Sequence, residues 1–131
     1  MEKIKTALQI LSQIGILGSE KKPWGSWIRY EDPVCFKTLR VEAGGELSLQ
    51  RHQHRAELWV ILEGLPLVTV GPQARRLVPG DTVWIGIGEI HRLLAIDGPA
   101  LVLELQFGLY DEADIERLAD RYGRSPTLDT T

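Results

Sequence analysis

Apolar and polar positions alternate in short runs over most of this chain, and glycine and proline interrupt the runs at near-regular intervals. From residue 35 onward the alternation predicts strands over 35–42, 47–52, 57–62, 67–70, 74–78, 82–87, 91–96 and 100–107. The breaks are Gly44-Gly45, Gly64, Gly71-Pro72, Pro79-Gly80-Asp81, Gly86 with Gly88, and Asp97-Gly98-Pro99, residues that supply the backbone angles of tight turns. Short strands with a turn every ~8–12 residues build a β-sandwich or a small barrel. In Leu58-Trp59-Val60-Ile61-Leu62 both faces are apolar, as in a strand buried on two sides. The period changes at the two ends. Ile4, Ala7, Leu8, Leu11 and Ile14 fall on one face of a helix ending near Gly15. Residues 111–119 carry acids in their first turn, then Ile115, Leu118 and Ala119 at helical spacing, then Arg121, and so predict a second short helix. The expected organisation is an N-terminal helix and linker over 1–20, one all-β domain over 21–124, and a flexible tail over 125–131.

Composition narrows the class. A chain of 131 residues makes one core and not two. Its 44% hydrophobic and 25% charged residues are ordinary for a soluble globular protein. A net charge of -3 gives no ground for a nucleic-acid or anionic-membrane partner. Cys35 is alone, so no disulfide forms within the chain. The apolar run 10–17 is interrupted by Ser12 and Gln13 and is followed by no small-residue cleavage site, which argues against a signal peptide, and no run is long enough to span a membrane. The expected location is the cytoplasm.

The chemistry concentrates in Ser48–Glu57, answered by His91. Gln50, His52 and His54 alternate and share one strand face, Glu57 opens the next strand, and His91 starts a later one. Imidazoles with a carboxylate and an open position suit a catalytic divalent metal. If the sheet closes into a barrel, these side chains meet inside it.

The spacing resembles that of the cupins. Gly44, Gln50, His52, Glu57 and Gly64 fall on the first cupin motif, with Gln50 in place of its first histidine. Gly80, Gly86, Gly88 and His91 fall on the second, where Gly86 replaces a proline and Ala95 an asparagine. Further strings occur in the order found in type II phosphomannose isomerases. They are Lys22-Pro23-Trp24-Gly25-Ser26-Trp27, the stretch from Leu47 to Glu57, Leu67 to Gly71, His91-Arg92-Leu93 and Asp120-Arg121-Tyr122-Gly123-Arg124. In that family the domain usually follows a guanylyltransferase domain. Here no glycine-rich nucleotide loop and no room for one are seen, so the expectation is a free-standing isomerase cupin.

The resemblance implies a double-stranded β-helix, or jelly-roll barrel, carrying the two short helices. It also implies interconversion of mannose 6-phosphate and fructose 6-phosphate. The implied metal ligands are Gln50, His52, Glu57 and His91, with His54 as the alternative to Gln50. The ion is zinc, with manganese, nickel, cobalt and iron as alternatives. Such an isomerase moves a proton between adjacent carbons, which needs a base reaching both. Glu104 alternates with Gln106 on the last strand and is one candidate; His54 is the other. The phosphate needs cations, for which Arg55, Arg92 and Lys22 are the candidates. The partner is a small sugar phosphate, and exposed sheet edges with an apolar N-terminal helix favour a homodimer. Two other readings stay open: a noncatalytic cupin that binds a phosphosugar or sugar nucleotide, and a cupin enzyme of different chemistry such as an oxygenase.

Overall fold

The computed structural model describes residues 16–30, 36–108 and 112–124. The N-terminal helix expected up to Gly15, Cys35 and the tail lie outside the described residues. Among these residues the strands are β1 (Ile16–Lys22), β2 (Gly25–Tyr30), β3 (Phe36–Val41), β4 (Leu49–Arg51), β5 (Arg55–Glu63), β6 (Leu67–Val70), β7 (Gln73–Arg76), β8 (Thr82–Ile85), β9 (His91–Leu94), β10 (Ala100–Gly108) and β11 (Glu116–Ala119). The fold is all-β. A six-stranded sheet runs β1-β2-β3-β10-β5-β8 and a five-stranded sheet runs β11-β4-β9-β6-β7, with antiparallel neighbours throughout. Among the described residues no helix is long and apolar enough to cross a membrane.

Each of the eight strands expected from alternation has a counterpart within a few residues. β1 and β2 were not expected, because Gly18, Ser19, Glu20, Lys21 and Lys22 carry no apolar alternation. They form by pairing with each other, and β2 in turn pairs with β3. The helix over 111–119 is corrected: its second half is β11, whose Glu116 and Arg117 stand opposite Arg51 and Gln50 of β4. The acids read as a helix N-terminus serve tertiary contacts instead. Glu112 pairs with Lys37, Asp114 holds a loop, and Glu116 pairs with Arg51. One helix of about two and a half turns is marginal alone, so such contacts prevail. The Arg121–Arg124 string is a turn in which Asp120 accepts from the backbone N–H groups of Tyr122 and Arg124.

The inward faces of three neighbouring strands divide the interior into two zones. Val41 and Leu39 of β3, Ala100 and Val102 of β10, and Ile61 of β5 fill one end, together with Val68 and Leu93 of the facing sheet. Each large apolar side chain buried there stabilises by roughly 1.5–3 kcal/mol. Toward the other end the same faces turn polar, with Lys37 on β3, Glu104 and Gln106 on β10, and Arg55 and Glu57 on β5, all buried. Trp59 stands at the boundary. A second apolar cluster on the six-stranded sheet joins Phe36 and Leu62 to Val60, Leu103 and Leu105, which accounts for the two apolar faces of β5. Gly108 ends β10 with φ +117, and a Cβ there would lie 2.5 Å from the carbonyl oxygen of His54, so only glycine lets the β5 entry approach.

Candidate metal centre

β5 and β10 are the floor of the site. On β5, Arg55, Glu57 and Trp59 are two residues apart and project to one side, and on β10 Glu104 and Gln106 do the same. The register sets Glu104 beside Trp59 and Gln106 beside Glu57. The facing sheet contributes Gln50 of β4, directly across from His91 of β9, and His52 just beyond β4. Closing the barrel therefore brings together two histidines 39 positions apart and a carboxylate between them in sequence.

His52, Glu57 and His91 are buried, and their ligand atoms all lie within 4.8 Å of one another, a group that could hold a metal ion. His52 Nε2 is 3.4 Å from Glu57 Oε2, and His91 Nε2 is 3.8 Å from Glu57 Oε1. The other ring nitrogen of each histidine meets a backbone carbonyl: His52 Nδ1 donates to Asp114 O, and His91 Nδ1 donates to Glu89 O at 2.9 Å. This fixes the proton on Nδ1 and turns the Nε2 lone pair toward Glu57, the orientation that metal-binding histidines need. Burial, reinforced by the positive charge of Arg55, pushes His52 down to about 3; burial pushes His91 down to about 4. Both rings are neutral at pH 7, as ligands must be.

Among the described residues, His91 Nε2 is buried with no hydrogen-bond partner. An unsatisfied buried polar atom costs about 1–3 kcal/mol. An ion held at this lone pair removes that cost, so the donor set fits a metal. Glu57 is held in place by Arg55 Nε at 2.8 Å and Trp59 Nε1 at 3.2 Å.

His52 of this group lines a cavity of about 100 Å³. Gln50, His52, Arg55, Trp59 and Glu104 line it, joined by Lys22, Lys37, Arg117 and Arg124. Glu104 accepts from Trp59 Nε1 at 3.0 Å and from Gln106 Nε2 at 2.8 Å, and Lys37 Nζ lies 3.9 Å away. Burial and the neighbouring Glu57 raise its pKa, against the opposing pull of Lys37 and Arg55. Lys37 is itself buried, which disfavours its charge, but Glu104 and Glu112 outweigh that and raise its pKa. Its ammonium also lies 4.6 Å from the Trp27 ring centroid. Burial and the charge of Arg124 lower the pKa of Arg117, two like charges converging on one cavity.

The sequence candidates separate accordingly. His52, Glu57 and His91 meet, and Gln50, Glu104 and Lys22 line the same cavity as His52. Arg55 is not at a rim: it is buried against Glu57, with its NH2 group 3.4 Å from His52 Nε2. Arg92 alternates with His91 along β9, leaves on the other face toward Glu46 at 3.7 Å, and does not line the cavity. His54 does not line it either; its backbone N–H is donated to Asp114. Lys37, Arg117 and Asp114 were missed. Arg117 and Asp114 lay in a segment read as helix, and nothing local marks Lys37, which reads as one charge among strand apolars.

The sequence model of the family described as mannose-6-phosphate isomerase C-terminal matches residues 17–120. The chain is 40% identical over 109 residues to the alginate biosynthesis protein AlgA of Pseudomonas aeruginosa, an alignment covering 79% of this chain and 22% of that protein. It is 34% identical over 110 residues to the mannose-1-phosphate guanylyltransferase of Escherichia coli K12, covering 79% of this chain and 22% of that protein. The chain thus spans about a fifth of the length of these relatives. Among solved structures, a cupin 2 conserved barrel domain protein from Rhodopseudomonas palustris superposes with a TM-score of 0.59 at 22% identity, over 76% of this chain and 73% of that one, which shows a shared cupin fold.

Proposed function

The chain belongs to the mannose-6-phosphate isomerase C-terminal family, and from that premise we propose that it is a metal-dependent aldose–ketose isomerase interconverting mannose 6-phosphate and fructose 6-phosphate. One observation carries the proposal. His52, one of the three residues that could hold a metal ion, lines one cavity together with a buried carboxylate of raised pKa, Glu104, and several cations.

Gln50, His52, Glu57 and His91 would hold the ion, with zinc as the ion we propose. When bound, it supplies a Lewis acid that stabilises negative charge developing on the oxygens of the open-chain sugar. Glu104 is the base in this proposal. It takes the proton from C2 of the aldose and returns it to C1, while the hydroxyl proton on O2 passes to O1, leaving the ketose, and the reverse sequence runs from fructose 6-phosphate. Its raised pKa brings it closer to neutrality, where one group both accepts and releases a proton efficiently. Trp59 and Gln106 fix its two oxygens, which keeps it aligned with both carbons. His54, the competing base, is the weaker choice because it lies off the cavity wall.

For the phosphate we assign Arg117 and Arg124 with Lys22, in place of Arg55 and Arg92. Guanidinium forks match phosphate oxygens, and an anion relieves the repulsion between Arg117 and Arg124. The test is an isomerase assay on the metal-loaded protein and on the same protein after chelation. We expect turnover that chelation abolishes and re-added metal restores. Protein that carries bound metal and yet turns over neither sugar phosphate would end the isomerase reading.

A further inference from the structure

Asp114 lies between β10 and β11, far in sequence from the histidine stretch, and is completely buried. Its carboxylate accepts two successive backbone N–H groups, Gln53 at 2.8 Å through Oδ1 and His54 at 2.9 Å through Oδ2. Its own backbone carbonyl accepts from His52 Nδ1. One residue therefore binds three consecutive residues, 52–54, that join the metal-ligand end of β4 to β5. A buried carboxylate is tolerated only when such donors satisfy it, and successive backbone N–H groups are a favourable way to do so.

We propose that Asp114 is a positioning residue for the metal centre, setting both the tautomer and the aim of His52. The loop at 52–54 lies between strands of different sheets, so the ladders do not hold it. Gly88 N–H holds the His52 carbonyl at 2.7 Å, but that bond does not reach the ring; without the carboxylate clamp the Asp114 carbonyl can draw away from His52 Nδ1, and the ring proton is no longer confined there. The neighbours of Asp114 extend the consequence. Glu112, Ile115 and Arg117 line the cavity, so the segment that walls the cavity is also the one that aims a metal ligand. The inference rests on the reading of His52 as a ligand.

The experiment compares Asp114→Asn with the wild type and with Arg51→Ala. Asparagine keeps the size and one acceptor oxygen but sets an NH2 group against a backbone N–H. Arg51→Ala removes another anchor of the same segment, the pair with Glu116, and leaves the Asp114 contacts with 52–54 in place. Three quantities are measured: Co(II) affinity with its visible spectrum, the protonation site of the His52 ring in metal-free protein by 15N NMR, and exchange of the Gln53 and His54 amides. We expect Asp114→Asn to weaken Co(II) binding about 10–100-fold, the usual effect of losing an outer support of a ligand. We also expect an altered Co(II) spectrum and a His52 ring that populates both tautomers. Arg51→Ala should change none of these. Folded Asp114→Asn protein with wild-type Co(II) affinity, spectrum and tautomer would overturn the proposal.

If the variant does not fold, the wild type alone decides. Coupling is reciprocal, so metal binding must slow exchange of the Gln53 and His54 amides, and unchanged exchange refutes the role. Wild type that binds no Co(II) instead ends the ligand reading of His52, and with it this inference. A ring fixed on Nδ1 would then mark Asp114 as a structural clamp only.

Discussion

Replacing Glu104 with glutamine keeps the side chain's shape and removes its basicity. The side chain is buried, and the amide oxygen can still accept from Trp59 Nε1, now at 3.0 Å from Oε1. The new NH2 group faces Gln106 and Lys37, both donors, so the Gln106 amide must turn over to present its oxygen. Lys37 retains Glu112 as its partner. At 3.9 Å the Lys37–Glu104 attraction is about 4 kcal/mol for an effective dielectric near 20. Burial and Glu57 oppose it, and the raised pKa means that they prevail: folding disfavours the charged carboxylate. A group whose folded pKa is raised contributes stability that is complete below its unfolded pKa and is lost as pH rises through the folded one. Glu104→Gln removes that loss. The variant should therefore be at least as stable as the wild type near pH 7, with its relative advantage growing above about pH 4.5.

Catalysis should respond very differently. Loss of a positioned base lowers kcat by about 10²–10⁴-fold, or roughly 3–5 kcal/mol of barrier. KM and metal content should hardly move, because Glu104 is assigned neither to the phosphate nor to the metal. The direct assay follows deuterium from solvent into C2 of mannose 6-phosphate, beside the overall isomerisation rate. Wild-type deuterium incorporation by a folded, metal-loaded Glu104→Gln protein would refute the assignment and pass the role to His54.

The metal ligands make a second prediction: His52→Ala and His91→Ala lose the ion on dialysis and His54→Ala keeps it, as read by elemental analysis. Loss in His54→Ala with retention in Gln50→Ala would exchange the fourth ligand. Arg117→Ala should raise KM for mannose 6-phosphate about 10–100-fold, since hydrogen bonds to charged groups contribute ~1.5–3 kcal/mol. Arg92→Ala, on the outer face, should leave KM within about twofold, the scale of a solvent-side ion pair; steady-state kinetics that reverse this order would move the phosphate site. Hydrogen bonds from Arg124 lower the Asp120 carboxyl to about 2. A depressed carboxylate stabilises above its unfolded pKa and loses that contribution as pH falls through the folded one. The melting temperature of Asp120→Asn should thus lie below wild type at neutral pH and converge with it between about pH 4 and pH 2. A gap that persists at pH 2 would show that the pair is not what separates them.

Much of the barrel was legible because a strand writes its burial into a two-residue period. Arg55-Ala56-Glu57-Leu58-Trp59-Val60-Ile61 shows its inward face directly, and motif spacing carried His52, Glu57 and His91 to one place. β1 escaped because Gly18 to Lys22 present no apolar face and become a strand by hydrogen bonding to β2. The stretch 111–119 misled for a related reason: acids near a presumed helix start look the same locally whether they face a helix dipole or a distant Lys37, loop 52–54 and Arg51.

By itself, the sequence determined the all-β class, the turns, the family and the metal-ligating types, since these depend on local backbone preference and on fixed spacing along single strands. Only the tertiary structure decided which cations face the cavity, that Arg92 points away, that Arg55 is buried against Glu57, and that Asp114 braces His52. The bracing of His52 depends on sheet order and register, which bring residues 60 or more positions apart within hydrogen-bond reach. No local period along the chain encodes a distance of that kind.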